Sequence, residues 1–324
     1  MEPRCIVEVR WGKRAGTKAV IPAAGRLRVG GTSRADLVIP HDEKLSGAHF
    51  ELRWDGRRCT VRDLGSVTGT RLAGAAVKEA VVPHGGWIQA GETDFMVYAE
   101  GKTPPKDVDP ALAPGADPEL AEEHRRRRAA QQEGAEAALA DLRAEAARAP
   151  LYAVLDAART PRILTVLREA VEPHRSLYEG AAGEPLEEVA PYLVGPLSKD
   201  SRLLEQLVRE GFSRRWGIFC ASALSFVEVR RHLRRFLMVE REDTGERLYF
   251  RFYDPGVLRV FLASGTVRQQ DALFGSGALS MLWTDEGGAH RAPERAPRAS
   301  VAPGAPSGSS SPPPAPFTPV QEGT

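Results

Sequence analysis

Between Gly101 and Ala149 this chain offers almost nothing from which to build a core, and that gap governs how the rest can fold. Residues 101–117 are rich in proline and carry no hydrophobic periodicity, so they read as a linker. Asp117-Pro118 can cap a helix that runs through Ala-, Glu- and Arg-rich sequence to about Arg148, where Pro150 stops it. Its large apolar residues are few (Leu120, then Leu139 and Leu142), so this helix is mostly solvated or docks by one short face. The run Arg125–Arg128, flanked by Glu122, Glu123 and Glu133, makes i,i+4 ion pairs on a solvated face rather than a nucleic-acid site.

With residues 101–149 set apart as linker plus charged helix, three parts remain: 1–100, 150–285 and a tail at 286–324. A length of 324 residues accommodates two ordinary cores. In the first part, short strand candidates alternate with turns such as Trp11-Gly12-Lys13, Asp55-Gly56, Gly65-Ser66 and His84-Gly85-Gly86, the pattern of an all-β sandwich. From Leu151 strands alternate with helices. Leu151–Leu155, Pro191–Val194, Trp216–Cys220, Met238–Glu240 and Leu248–Tyr253 read as strands. Helices fall after Pro161, over Arg202–Arg209 with Asp200 or Ser201 as cap, over Phe226–Phe236 behind Ser225, and over 256–263 and 266–273. This texture predicts an α/β domain whose mixed sheet is covered by helices, with one antiparallel hairpin turning at Asp243-Thr244-Gly245. The tail is Gly, Ala, Pro and Ser with Arg; it cannot form a core and reads as disordered, either a docking ligand or simply solvated.

The densest aromatic stretch is Leu248–Leu262. Its first six residues alternate with period two, placing Leu248, Phe250 and Phe252 on one face and Tyr249, Arg251 and Tyr253 on the other. Asp254-Pro255 then starts a helix. Arg251 either lies in water on an edge strand or is tied to a carboxylate, with Asp156 the first candidate.

Composition closes several functional classes. A net charge of +1 gives no global argument for nucleic acid, membrane or an acidic substrate. The three cysteines (Cys5, Cys59 and Cys220) are scattered, which speaks against a disulfide scaffold or zinc site and fits a reducing compartment. No signal core or long apolar run is present, so a cytoplasmic protein without membrane insertion is expected. No cofactor or metal is implied, and no catalytic set assembles. His174 and His232 are isolated, and Cys220 ends an apolar run. Asp156 and Asp254 follow strands, where α/β sheets place ligand sites but where helix N-caps are also ordinary.

Within the first part, Val29-Gly30-Gly31, Ala35-Asp36-Leu37, Ser46-Gly47-Ala48-His49 and Asp63–Thr70 recur at a spacing that resembles the forkhead-associated (FHA) domain, over essentially residues 1–100. The resemblance implies a β-sandwich whose loops at one end bind a phosphothreonine peptide. On that basis Ser46 matches the phosphate-contacting serine, His49 the histidine that braces the loop, and Gly30 the glycine at the strand end, with Gly47 and Gly69 completing the motifs. Two positions depart from the family: Gly31 replaces its phosphate-binding arginine, and Thr68 its peptide-gripping asparagine. A lost guanidinium removes the strongest charge-assisted contact. Arg34 and Lys44, in the same loops, are candidate replacement cations. The domain thus binds phosphothreonine through Arg34 and Ser46, or serves other protein contacts or stability.

In the later part, Leu151–Arg159, Leu177-Tyr-Glu-Gly180, Ala190–Val194, Val229–Leu233, Phe250–Pro255 and Trp283 occur in an order that resembles the adaptor or chaperone family of bacterial type VI secretion, originally catalogued as a domain of unknown function. Members load a toxic effector onto the tip protein of the secretion spike, VgrG. The resemblance therefore implies a non-enzymatic bacterial adaptor with an effector and VgrG as partners, to which the FHA resemblance adds a phosphothreonine protein. The alternative is a phosphothreonine-reading signalling scaffold unrelated to secretion. Arg230, Arg231 and Arg234 form a basic face on the helix behind Ser225, which is either solvated or contacts an acidic partner. In the tail, Thr318-Pro319 is a candidate phosphosite for the N-terminal domain.

Overall fold

The computed structural model describes residues 2–10, 14–105, 118–178, 184–241, 244–285, 288–292 and 317–319. The Trp11–Lys13 turn, the Asp117 cap, Glu179-Gly180 and Asp243 lie outside the described residues. The chain divides into two compact units, one of residues 1–106 with 164–174, the other of 107–163 with 175–324.

The first unit contains eleven described strands: β1 (Cys5–Val9), β2 (Lys18–Ile21), β3 (Gly25–Gly30), β4 (Leu37–Val38), β5 (Phe50–Trp54), β6 (Cys59–Asp63), β7 (Thr70–Leu72), β8 (Ala75–Val77), β9 (Glu79–Val82), β10 (Gly86–Ala90) and β11 (Thr93–Ala99). They form a six-stranded sheet in the order β2-β1-β11-β10-β7-β8 and a five-stranded sheet in the order β4-β3-β5-β6-β9. Alternation along the strands sends Val7, Val29, Leu52, Val61, Ile88 and Phe95 into one shared core. Phe50 and Phe95 meet there edge to face, 5.4 Å between centroids. β1 is buried on both faces, Glu8 included. Residues 164–174 pack with this unit: Lys18 Nζ donates to the Leu167 carbonyl at 2.7 Å, and buried Glu169 accepts from the Thr103 amide at 2.9 Å.

In the second unit, helix α1 (Pro118–Arg148) buries, among its described side chains, Ala135, Ala138, Leu139, Leu142 and Glu145, the short apolar face that sparse leucines allow. The following elements are β12 (Leu151–Asp156), α2 (Arg162–Arg168), β13 (His174–Ser176), β14 (Pro191–Leu197), α3 (Arg202–Gly211), β15 (Gly217–Ala221), α4 (Phe226–Arg234), β16 (Met238–Arg241), β17 (Arg247–Tyr249), α5 (Pro255–Ser264), α6 (Val267–Leu273), β18 (Ser280–Asp285), β19 (Gly288–Arg291) and β20 (Phe317–Pro319); α2 crosses from this unit into the other. Its main sheet runs β13-β14-β12-β15-β18-β19. β12 is antiparallel to both β14 and β15, and β15 is antiparallel to β18. β14 and β15 therefore run parallel to each other with β12 between them. The expected hairpin is present as β16 and β17, and antiparallel pairing also runs through the main sheet, because the helical crossover through α3 steps over β12 instead of joining neighbours. Ser201, rather than Asp200, caps α3, its hydroxyl accepting from the Leu204 amide at 3.1 Å. Ser225 caps α4 in a reciprocal box with Glu228.

Two further expectations are corrected. The strand expected over Leu248–Tyr253 stops at Tyr249. A turn follows, closed by the Asp254 amide on the Arg251 carbonyl at 2.9 Å, so both Phe252 and Tyr253 enter the core instead of pointing to opposite faces. Phe250 packs against Phe261, 5.0 Å between centroids. The tail expected to lack structure contributes β19, which pairs with β18, and β20, which pairs with β16. His290 of β19 stacks on Trp283 at 5.7 Å and 19°, and Ala292 is buried in the core.

Candidate functional site

The motif residues of the sandwich meet where three loops converge at one end, those after β3, before β5 and after β6. Gly30 ends β3 against the backbone of the second loop: an added Cβ would lie 2.8 Å from the Ser46 carbonyl oxygen and overlap the Gly47 carbonyl. Only a glycine permits that approach. The Gly31 amide donates to the Ser46 carbonyl at 3.0 Å.

Three hydrogen bonds then lock the second loop to the third. The Val67 amide donates to Ser46 Oγ at 3.0 Å, and Thr68 Oγ1 donates to the Lys44 carbonyl at 3.1 Å. The Ser46 amide donates to His49 Nδ1 at 3.1 Å, so Nε2 carries the ring proton and donates to the Gly69 carbonyl, also at 3.1 Å. His49 is fully buried. At about 1 kcal/mol each, such bonds make the loop pair a preformed surface rather than two mobile strands of chain.

The third loop is held from within by Asp63, which the sequence reading did not single out. Its carboxylate accepts from the Gly65 and Ser66 amides at 2.8 and 2.9 Å and from the Ser66 and Thr70 hydroxyls at 2.6 Å each. Burial works to raise its pKa, but these donors prevail and bring it down to about 2. An Asp followed two and three residues later by small polar donors is the local signal that marks it. Thr32 is a second such residue; its hydroxyl donates to the Gly47 carbonyl at 3.2 Å.

The two candidate cations differ. Lys44 Nζ sits 2.9 Å from Glu92, which raises its pKa. Arg34 is exposed, and among the described residues its guanidinium has no partner. Its Cδ would lie 3.7 Å from a Cβ placed on Gly47, so it stands over the second loop. Ser46 Oγ already accepts from Val67, which leaves its own proton to donate outward. A guanidinium without a partner among the described residues and a hydroxyl with a proton to donate thus stand on loops joined by the Gly31–Ser46 and Thr32–Gly47 hydrogen bonds, and these are the two kinds of donor a phosphate takes.

In the second unit, Asp156 and Asp254 are buried and gather arginines. Arg251 Nη2 donates to Asp156, while Arg159 spans both carboxylates, 3.4 Å from Asp156 and also bonded to Asp254. Arg215 bonds to Asp254 as well. Asp254 also caps α5, accepting from the Gly256 and Val257 amides at 2.8 and 3.2 Å. Burial works to raise its pKa, but Arg215 and the two amides hold it below the usual carboxylate range. Arg159 and Arg215 carry no local sequence signal; β12 and the loop before β15 bring them to Asp254 from far along the chain. Of the basic face on α4, Arg230 donates to the Ser176 and Tyr178 carbonyls at 2.8 and 3.2 Å, and Arg234 to the Leu177 carbonyl at 2.9 Å. Those two guanidiniums bind β13 and the chain just after it, and Arg231 is left exposed.

Two of the residues weighed for chemistry, His232 and Cys220, are engaged or buried. His232 donates through Nε2 to the Leu273 carbonyl at 2.8 Å and accepts at Nδ1 from Arg235, also at 2.8 Å; burial lowers its pKa. Cys220 is fully buried, which pushes its thiol up to about 12. Among the described residues no cluster of His, Cys, Asp and Glu has the makings of a metal site, and no helix is long and apolar enough to cross a membrane.

The chain thus carries a sandwich with locked loops at one end, followed by a mixed α/β unit. The families agree with this division: residues 24–91 match the FHA domain, and residues 151–272 match a domain of unknown function (DUF4123). The N-terminal unit is an FHA-like β-sandwich, and a mixed α/β region follows it. Among solved structures, one described under phosphothreonine-dependent FHA domain interactions is 26% identical, covering 29% of this chain and 95% of its own, with a TM-score of 0.27. The FHA domain of an Arabidopsis thaliana hypothetical protein is 25% identical over 33% of this chain and 92% of its own, TM-score 0.29. An FHA domain from Mycobacterium tuberculosis is 26% identical over 30% and 99%, TM-score 0.26. Among curated proteins none matches.

Proposed function

We propose that the chain is a non-enzymatic adaptor of the bacterial cytoplasm. Its sandwich reads a phosphothreonine protein, and its α/β unit holds a type VI secretion effector for loading onto the VgrG spike. The observation that carries the reading is the locked pair of loops, Lys44–His49 on Val67–Gly69, with the Arg34 side chain over Gly47 and its guanidinium without a partner among the described residues. The binding logic is electrostatic: a dianionic phosphate needs a cation and hydroxyl or amide donors held in place beforehand. The secretion half is supported by the match of residues 151–272 to DUF4123 and by the resemblance carried by Ala190–Val194 and Phe250–Pro255.

Co-purification from native cells tests the secretion half. The adaptor reading expects a spike tip protein and a toxin in the same complex. Recovery of phosphorylated proteins alone, with neither of these, would favour the signalling scaffold instead.

A further inference from the structure

A cavity of about 480 Å³ opens beside the start of α5, lined by Ser213, Arg215, Gly256, Arg259, Thr284 and Asp285. Four observations bear on what it takes. Ser213 and Arg215 both hold left-handed backbone, with φ of 60° and 55°, a conformation that side-chain-bearing residues adopt only where the surroundings impose it. The Ser213 hydroxyl is buried and, among the described residues, has no hydrogen-bond partner. Gly256 has no Cβ where Arg215 Nη2 passes, so this glycine is what lets the guanidinium cross the helix start. Asp254 takes the first-turn amides of Gly256 and Val257, which leaves side chains as the available donors.

The charge balance selects the ligand. Asp156 and Asp254 together meet three guanidiniums (Arg159, Arg215 and Arg251), an excess of one positive charge. Arg259 and Asp285, 3.6 Å apart at the cavity wall, add one charge of each sign. A monoanion neutralises the excess, whereas a phosphate dianion would exceed it and face the Asp285 carboxylate. The Arg215 and Arg259 side chains are 50% and 63% exposed, so both are reachable from solution.

We propose that this cavity is a carboxylate-binding site, taking a side-chain or C-terminal carboxylate of a partner polypeptide between Arg215 and Arg259, with Ser213 donating its hydroxyl. The site stands independently of the phosphothreonine loops and of the secretion reading, since it needs only the groove itself.

Calorimetry on the full chain tests it with three short probes: acetyl-Ala-Glu-Ala amide, acetyl-tri-Ala with a free carboxylate, and acetyl-tri-Ala amide. At least one carboxylate probe is expected to bind and the amide is not; which of the two binds assigns side chain or chain end. Because Arg215 also holds Asp254, the informative variants are Arg259→Gln and Ser213→Ala, which leave the partners of Asp254 in place. Arg259→Gln is expected to weaken the probe by roughly tenfold or more, with an unchanged unfolding midpoint. Binding of no carboxylate probe, equal binding of the amide, or full affinity in both variants would overturn the assignment.

Discussion

Ser46 and His49 are joined by a single hydrogen bond, from the Ser46 amide to Nδ1 at 3.1 Å, and that bond decides which nitrogen of the ring carries the proton that reaches Gly69. The brace of one loop is thereby the brace of two. His49→Ala removes both bonds and a fully buried ring, and should cost about 2–4 kcal/mol of stability. Urea unfolding measures this; a loss below half a unit of that range would mean that the loops hold without the ring.

Arg251 and Asp156 make the corresponding pair in the α/β unit. Arg251→Ala leaves a buried carboxylate whose remaining ion-pair partner among the described residues is Arg159 at 3.4 Å. Because the Arg251 side chain is 40% exposed, the loss should be moderate, about 1–3 kcal/mol, and should precede any loss of partner binding. A variant of unchanged stability that no longer holds its partner would reverse that order and make the stretch an interface.

Asp63 gives stability a defined pH window. Its folded pKa is depressed to about 2 from an ordinary 3.8, so the unfolded chain takes up the proton first as pH falls. Its contribution is complete above about pH 4 and disappears as pH drops toward 2. Thermal midpoints followed down through this window should fall more steeply in the native chain than in Asp63→Asn. Parallel curves would remove Asp63 from the account.

Truncation separates the two described strands of the tail, β19 and β20. A chain ending after Ala292 keeps β19 and should unfold within about 1 kcal/mol of the full protein, since what it loses among the described residues is the short β20 pairing. One ending after Asp285 also loses the His290 stack on Trp283 and the Arg291 pair with Glu145, and should be less stable by about 2 kcal/mol or more. Equal stability of the two truncations would contradict the role given to β19.

How far the chain could be read without its fold depended on whether a signal was local. The sandwich was legible because turn residues recur at short intervals and the motif glycines sit where only glycine fits, as Gly30 does against Ser46. The caps Ser225 and Asp254 were legible for the same reason. Period two along Leu248–Tyr253 misled because a turn after Tyr249 looks the same in sequence as a continuing strand. The segment Gly288-Ala-His-Arg291 has no strand-forming pattern of its own and is ordered by pairing with β18. Arg159 and Arg215 reach Asp254 from 95 and 39 residues away, a relation that only the topology creates.

Calorimetry of the full chain against a phosphothreonine peptide library, with the unphosphorylated peptides in parallel, tests the central claim most directly. The account predicts phosphate-dependent binding that is lost in Ser46→Ala and in Arg34→Gln, while Lys44→Gln retains it because Lys44 is already engaged by Glu92. A blank across the library with the sandwich folded, or binding indifferent to Ser46 and Arg34, would contradict it.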